Sequence, residues 1–174
     1  MQVSIVTKRC ENDADYAKAS LFILNNRRDL HPGFTTVDMI ALIYSYLSEG
    51  QILNIMDING QVIAIAAYYQ GTPDLHFEDK HVAYVDNVIL DRAHRNTRVF
   101  IRGFNGLIEQ IIQDHPETEE FRFAALNDNA YLQKLYSKFA KLSYTREGEL
   151  GKENIYSTEI SSIRALLAQF GRVY

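Results

Sequence analysis

The stretch that decides the fold runs from Ala83 to Phe104, AYVDNVILDRAHRNTRVFIRGF. Its first eight residues form an apolar run of strand length, and from Val99 onward apolar residues recur at helical spacing. Between them lies a short turn carrying Arg92, Arg95 and Arg98, with Arg102 one helical turn further on. A helix start presents amide donors with no partner inside the helix, which makes a strand-turn-helix of this kind one of the places where proteins hold phosphate. Cations at a helix N-terminus oppose its macrodipole by about 0.3–1 kcal/mol each, so several together suggest an anion among them. The alternative is a solvated polar face, because Arg98, Arg102, Asn105 and Glu109 lie opposite the stripe Phe100, Phe104, Leu107, Ile108 and Ile111.

The strand is read as His81 to Leu90 and the helix as Asn96 to Gln113, with Asn96 or Thr97 as N-cap. His115-Pro116 ends the helix, and EFRFAAL from Glu120 to Leu126 is a second strand. A strand-helix-strand crossover requires parallel pairing, and ligands of such sheets sit beyond the carboxyl ends of the parallel strands, where Arg95 falls.

Working outward, Gln2 to Val6 reads as an opening strand and Asp13 to Arg28 as a helix with Ala17, Leu21 and Leu24 on its buried face. Thr35 and Asp38 form a capping box that opens a helix through Leu47, with Val37, Ile40, Tyr44 and Leu47 as its buried stripe. Gln51 to Ile58 and Gln61 to Tyr69 flank Asn59-Gly60 and predict a hairpin with a type I′ turn. After the polar loop Gly71 to Lys80, and beyond the central unit, Asn127 to Lys141 is helical through Leu132, Leu135, Tyr136 and Phe139. Leu142 to Glu147 and Asn154 to Ile160 pair as a terminal hairpin, and Ser162 to Phe170 closes the chain as a helix. The expected fold is α/β: a mixed, mostly antiparallel sheet with one parallel βαβ unit and helices on both faces, in a single domain over residues 1–174.

A chain of 174 residues with 47% hydrophobic content can bury its own core. A net charge of −4 argues against general nucleic-acid binding, which draws on a basic excess. Cys10 is the single cysteine, so no internal disulfide forms, and no Cys/His spacing matches a metal site; His76, Glu78, Asp79 and His81 fit no metal motif either. The opening MQVSIVTKRC is too short an apolar run for a signal peptide, and no stretch approaches the roughly 20 apolar residues of a bilayer span. These features suggest a soluble, unprocessed cytoplasmic protein with no membrane partner.

On the segments VILDRAHRNTRVF and Asn129-to-Lys141, and in element order over nearly its whole length, the chain resembles the GNAT superfamily of N-acetyltransferases. In that family a turn of the form Arg/Gln-x-x-Gly-x-Gly/Ala binds the pyrophosphate of acetyl-CoA through backbone amides. Arg95 takes the position of the arginine, while Asn96, Arg98 and Phe100 stand where small residues are usual. Asn129, Leu132, Leu135 and Tyr136 resemble the family's later helix, with Ala140-Lys141 in place of its Gly-Phe.

The resemblance implies an acetyl-CoA-dependent N-acyltransferase acting on a small-molecule or peptide amine by direct attack. It assigns cofactor contacts to Val88, Leu90, Arg95, Asn96, Thr97, Arg98, Val99 and Asn129, and gives Tyr136 the role of general acid toward the thiolate. Asp86 is the nearest acid to serve as base; alternation places it on one strand face with Tyr84 and Val88, where a structural carboxylate is the other reading. His94 is a further candidate, because histidine is the residue type suited to proton transfer near neutral pH, but its loop position favours a surface role. Asp74 to Asp79 would suit a cationic acceptor. The missing glycines favour a second possibility, a GNAT-like binding or regulatory module without catalysis. The C-terminal strands and tail, including Phe170 and Tyr174, offer a homodimer contact.

Overall fold

The computed structural model describes residues 4–95, 97–148 and 151–172, the side chains of 170–172 excepted. Seven strands form one sheet: β1 (Ile5–Arg9), β2 (Gln51–Asp57), β3 (Val62–Gln70), β4 (Val82–Leu90), β5 (Glu120–Leu126), β6 (Lys141–Gly148) and β7 (Gly151–Glu159), in the spatial order β1-β2-β3-β4-β5-β7-β6. β4 and β5 pair parallel, as their crossover requires, whereas β1–β2, β2–β3, β5–β7 and β6–β7 pair antiparallel. The helices are α1 (Asp13–Asn25), α2 (Arg27–Leu30), α3 (Thr36–Glu49), α4 (Arg98–Asp114), α5 (Ala130–Tyr136) and α6 (Ile160–Arg172). None of the helices among the described residues is long and apolar enough to cross a membrane.

The chain divides into two compact units, residues 4–68 with 88–114, and residues 69–87 with 115–172. In the first, helices lie on both faces of the sheet, as strand alternation allows. Lys8 and its register partner Asn54 face α1, where Lys8 Nζ is 2.9 Å from Asp15 Oδ1 and Asn54 Nδ2 donates to the Asp15 carbonyl at 3.1 Å. Thr7 and its partner Ile55 face α4 on the other side. Helix α4 approaches closely because it presents Gly106 there: a Cβ at that position would lie 2.5 Å from Thr7 Oγ1. Ile55, Ile63, Ala64, Leu90 and Val99 form a buried cluster with Ile5 and Phe100 against it.

Several local expectations are corrected. The opening strand is Ile5–Arg9, and the start of the expected one lies outside the described residues. The first helix stops at Asn26, whose N–H and Nδ2 both donate to the Phe22 carbonyl, and α2 follows as a separate turn. Its buried face carries Asp15, Ala19, Phe22 and Ile23 rather than Ala17 and Leu21, because Asp15 is drawn inward by Lys8 and the Glu11 N–H. The α3 capping box forms as expected, but the buried residues are Met39, Ile43 and Tyr46; Val37, Ile40, Tyr44 and Leu47 are exposed. Both faces of α3 are apolar, so periodicity does not choose between them.

The β2–β3 hairpin forms with a different turn. A type I′ turn needs positive φ at both central residues, and only Gly60 has it, at 77°. Asp57 instead accepts from the Asn59 and Gln61 N–H groups, each at 2.9 Å, and the Gly60 N–H returns to the Asp57 carbonyl. That is a type I turn closed by a left-handed glycine. The expected Asn127-to-Lys141 helix is shortened to the seven residues of α5, after which 137–140 turn the chain into β6. The apolar period outlasts the helix because Phe139, beyond its end, still packs edge-on against Phe123 at 5.4 Å.

Candidate active site

In the second unit the parallel ladder joins Val82–Val85 to Glu120–Phe123 and ends there, although both strands run on. Asp86 is the first β4 residue past that end; it is half-buried and accepts from Asn87 Nδ2 at 2.9 Å. Phe123, the last β5 residue paired with β4, carries the ring of Tyr136 at 5.1 Å, and Tyr156 lies 6.0 Å from Tyr136. Tyr136 is delivered by α5, whose N-cap Asn129 accepts from the Leu132 N–H at 3.1 Å.

Tyr136 is completely buried, and its hydroxyl has no hydrogen-bond partner among the described residues. Burial first, and then the charge of Asp86, hold its pKa well above the ordinary phenol value, so it carries its proton at neutral pH. Tyr84 is two residues before Asp86, on the same side of the strand. It too is buried, its hydroxyl has no hydrogen-bond partner among the described residues, and burial followed by Asp86 raises its pKa. The guanidinium of Arg146 stands 5.7 Å above the Tyr84 ring, fixed by Glu153 at 2.7 Å and Asp74 at 2.5 Å. Burial works against the charge of Arg146, but Tyr84, Glu153 and Asp74 outweigh it and raise its pKa. The sequence marks Tyr84 only as a face neighbour of Asp86; that its hydroxyl is left unmet is visible only in three dimensions.

Two of the loop acids expected to greet a cationic acceptor, Asp74 and Asp79, are engaged within the fold, while Glu78 is exposed. Asp74 pairs with Arg146, and Asp79 accepts from the Thr72 N–H and Oγ1 at 2.6 Å each and lies 3.5 Å from Arg122.

The arginine turn belongs to the first unit. Asp91 caps a 3-10 turn over Arg92–His94 through the Ala93 N–H. Arg92 donates from Nε at 2.9 Å and Nη2 at 2.5 Å to Asp29 of α2, and Arg95 Nη2 lies 3.3 Å from the same carboxylate. Arg95 Nε also donates to the Leu90 carbonyl at 3.3 Å. Thr97 is the N-cap of α4: its hydroxyl donates to the His94 carbonyl and accepts from the Val99 N–H. Asn96 lies outside the described residues. Arg98 is exposed at the first helical position, Val99 is buried in the core, and Val88 and Leu90 are half-buried and buried. The ring of Phe100 packs on the core cluster and stacks on Phe104 at 5.5 Å. It therefore turns inward along the helix rather than across the first-turn amides.

Of the residues expected at the site, Asp86 and Tyr136 belong to one unit, where the charge of Asp86 is felt at Tyr136, and Asn129 caps the helix that carries Tyr136. Val88, Leu90, Arg95, Thr97, Arg98 and Val99 line the strand-turn-helix of the other.

This architecture is the GNAT fold. Among solved structures, the chain is similar to an aminoglycoside acetyltransferase, AAC(6')-Ib, in complex with coenzyme A, with 16% identity over 93% of this chain and 98% of that one and a TM-score of 0.71. It is also similar to a GNAT-family protein from Desulfovibrio desulfuricans (9% identity, 90% and 99% covered, TM-score 0.68) and to the ribosomal-protein-S5-alanine acetyltransferase of Vibrio fischeri (14%, 89% and 92%, TM-score 0.63). No protein-family model and no curated protein sequence matches the chain.

Proposed function

We propose that the chain is an acetyl-CoA-dependent N-acyltransferase that moves an acetyl group to a primary amine by direct attack. The observation that carries this reading is the Tyr136 hydroxyl, buried, protonated and unpartnered, beside Asp86 where the parallel ladder ends. A buried hydroxyl left unmet costs about 1–3 kcal/mol, a cost that a ligand's polar atom relieves. Each unit taken by itself offers a fitting feature: in the second, a phenol that can protonate sulfur; in the first, a Thr97-capped helix start whose Phe100 ring is turned inward, suited to phosphate. Bound acetyl-CoA would supply an acetyl thioester.

In this reading main-chain atoms of Val88 and Leu90 align the pantetheine arm. Asn96, Arg98 and the Val99 backbone take the diphosphate, while Arg95, tied to Asp29 and Leu90, holds the turn in shape. Asp86 accepts a proton from the acceptor's ammonium, freeing the lone pair that forms the new C–N bond. Tyr136 gives its proton to the sulfur as the C–S bond breaks, leaving a free thiol; the nitrogen's second proton, lost as the amide forms, restores the phenol, and Asp86 releases the first to solvent. General acid catalysis of this kind contributes about 10²–10⁴-fold, on top of the gain from positioning.

A ligand that binds only the folded state raises its stability by RT ln(1 + [L]/Kd). Millimolar acetyl-CoA is therefore expected to raise the unfolding temperature, and no rise would sink the proposal. The capture of Arg92 and Arg95 by Asp29 favours a second reading, a binding module without turnover. A stability rise with no thiol release above background across a panel of amines would select it.

A further inference from the structure

Helix α3 exposes an apolar stripe that nothing in the proposed function uses. Val37 is 73% exposed, Ile40 57%, Tyr44 70% and Leu47 47%, while the opposite face, Met39, Ile43 and Tyr46, fills the core. Scattered exposed apolar residues need no explanation, but four in line on one helix do. Their spacing of three, four and three residues is a heptad seam of the a/d type, which in proteins is covered by another helix. Ala41 and Ser48 flank the seam with small uncharged side chains that admit a close neighbour, and the only charges on α3 are Asp38 and Glu49, near its two ends.

We infer that this face is a dimer interface, with α3 packed antiparallel against α3 of a second copy of the chain about a two-fold axis. The seam reads the same in both directions, so reversal places Val37 against the partner's Leu47 and Ile40 against the partner's Tyr44, an apolar residue against an apolar residue at every level. Such self-complementarity is what an isologous interface requires. The same pairing brings the carboxylate of Glu49 to the N-terminus of the partner's helix, where negative charge is favoured, and sets the two macrodipoles in opposition. The four side chains and their small neighbours would bury on the order of 1,000 Å² across the two copies, the size at which specific interfaces begin.

Sedimentation equilibrium of the full chain tests this. The wild-type chain is expected to sediment as a dimer at micromolar concentration. Val37→Lys and Leu47→Glu should each weaken self-association at least about 100-fold, with circular dichroism unchanged because both positions are exposed. The double variant Val37→Lys with Leu47→Glu should recover the dimer, since antiparallel packing sets each new lysine against a new glutamate of the partner. If either single variant fails to fold, Ile40→Gln with Tyr44→Gln takes its place and should give a folded monomer. A wild-type chain that stays monomeric would overturn the inference. So would a dimer indifferent to these substitutions, or single variants whose loss the double variant does not repair.

Discussion

The arginine turn that follows β4 and the tyrosine pair, Tyr84 on β4 and Tyr136 on α5, differ in how their chemistry is met. At the turn, one carboxylate, Asp29, takes both Arg92 and Arg95, Leu90 takes the remaining Nε of Arg95, and Thr97 closes the helix start. In the other unit the buried hydroxyls of Tyr84 and Tyr136 have no hydrogen-bond partner among the described residues. Buried polar groups are nearly always satisfied, so the exceptions call for an explanation in function more than a dense charge cluster does. His94 Nδ1 in the turn and the Tyr68 hydroxyl share that lack, so it is the charge of Asp86 acting on both Tyr84 and Tyr136 that marks them as the reactive end of the proposed site, with the arginines largely framework.

Tyr136→Phe is the sharpest way to break this contrast. Thiol release should fall by about 100-fold or more, while acetyl-CoA still raises the unfolding temperature. The unliganded protein should at the same time hold its stability or gain up to about 1 kcal/mol, because the variant removes a polar group that burial leaves unmet. A loss of stability in calorimetry would mean that the hydroxyl is satisfied in the free protein, and the distinction between the two regions would fall.

Asp29→Ala attacks the other side of the comparison. It strands Arg95, half-buried, without its carboxylate, and should destabilise the fold by about 1–2 kcal/mol; Arg92 adds little because it is largely exposed. Freed from Asp29, Arg95 should also enlarge the stabilisation by acetyl-CoA. If calorimetry shows the ligand's effect shrinking instead, the ion pair shapes the turn for binding and is more than framework.

What the sequence makes legible follows the range of the forces involved. The α3 capping box and the Glu120–Leu126 strand are local, and both form as read. The core face of α4 is legible because its opposite face is polar; the core face of α3 is not, because both of its faces are apolar. Asp29 is 63 residues from Arg92, so no local reading of the arginine turn could show that its charges are already paired. Tyr136 is singled out by the family resemblance and Asp86 by its place as the nearest acid in the strand, whereas Tyr84 needs knowledge of what its hydroxyl lacks. Gly106 is a similar case: in sequence it weakens a helix, and in the fold it lets α4 lie against Thr7. Gly106→Ala should cost about 1–2 kcal/mol in urea unfolding despite the better helix propensity of alanine, and a stabilising result would mean that Thr7 yields freely.

The smallest expected effect concerns acid stability, and it falls on the unit whose charges are satisfied. The Asp15 carboxyl is held below its ordinary value of 3.8, first by the hydrogen bond from Lys8 and then by the backbone N–H of Glu11 and its neighbours, against the opposing effect of burial. Asp38 is lowered in the same direction by the Thr35 N–H and hydroxyl of the capping box. A carboxylate whose folded pKa lies below its unfolded one binds fewer protons folded, so its contribution is present above about pH 4 and is lost as the pH falls through the folded value. Urea midpoints measured from pH 6 downward should therefore decline below about pH 4. Asp15→Asn should lower the plateau and flatten that decline, because the variant has no proton to take up. An unchanged slope in Asp15→Asn would assign the acid sensitivity to carboxylates elsewhere, such as Glu120 beside Arg122 in the second unit, and would remove this difference between the two regions.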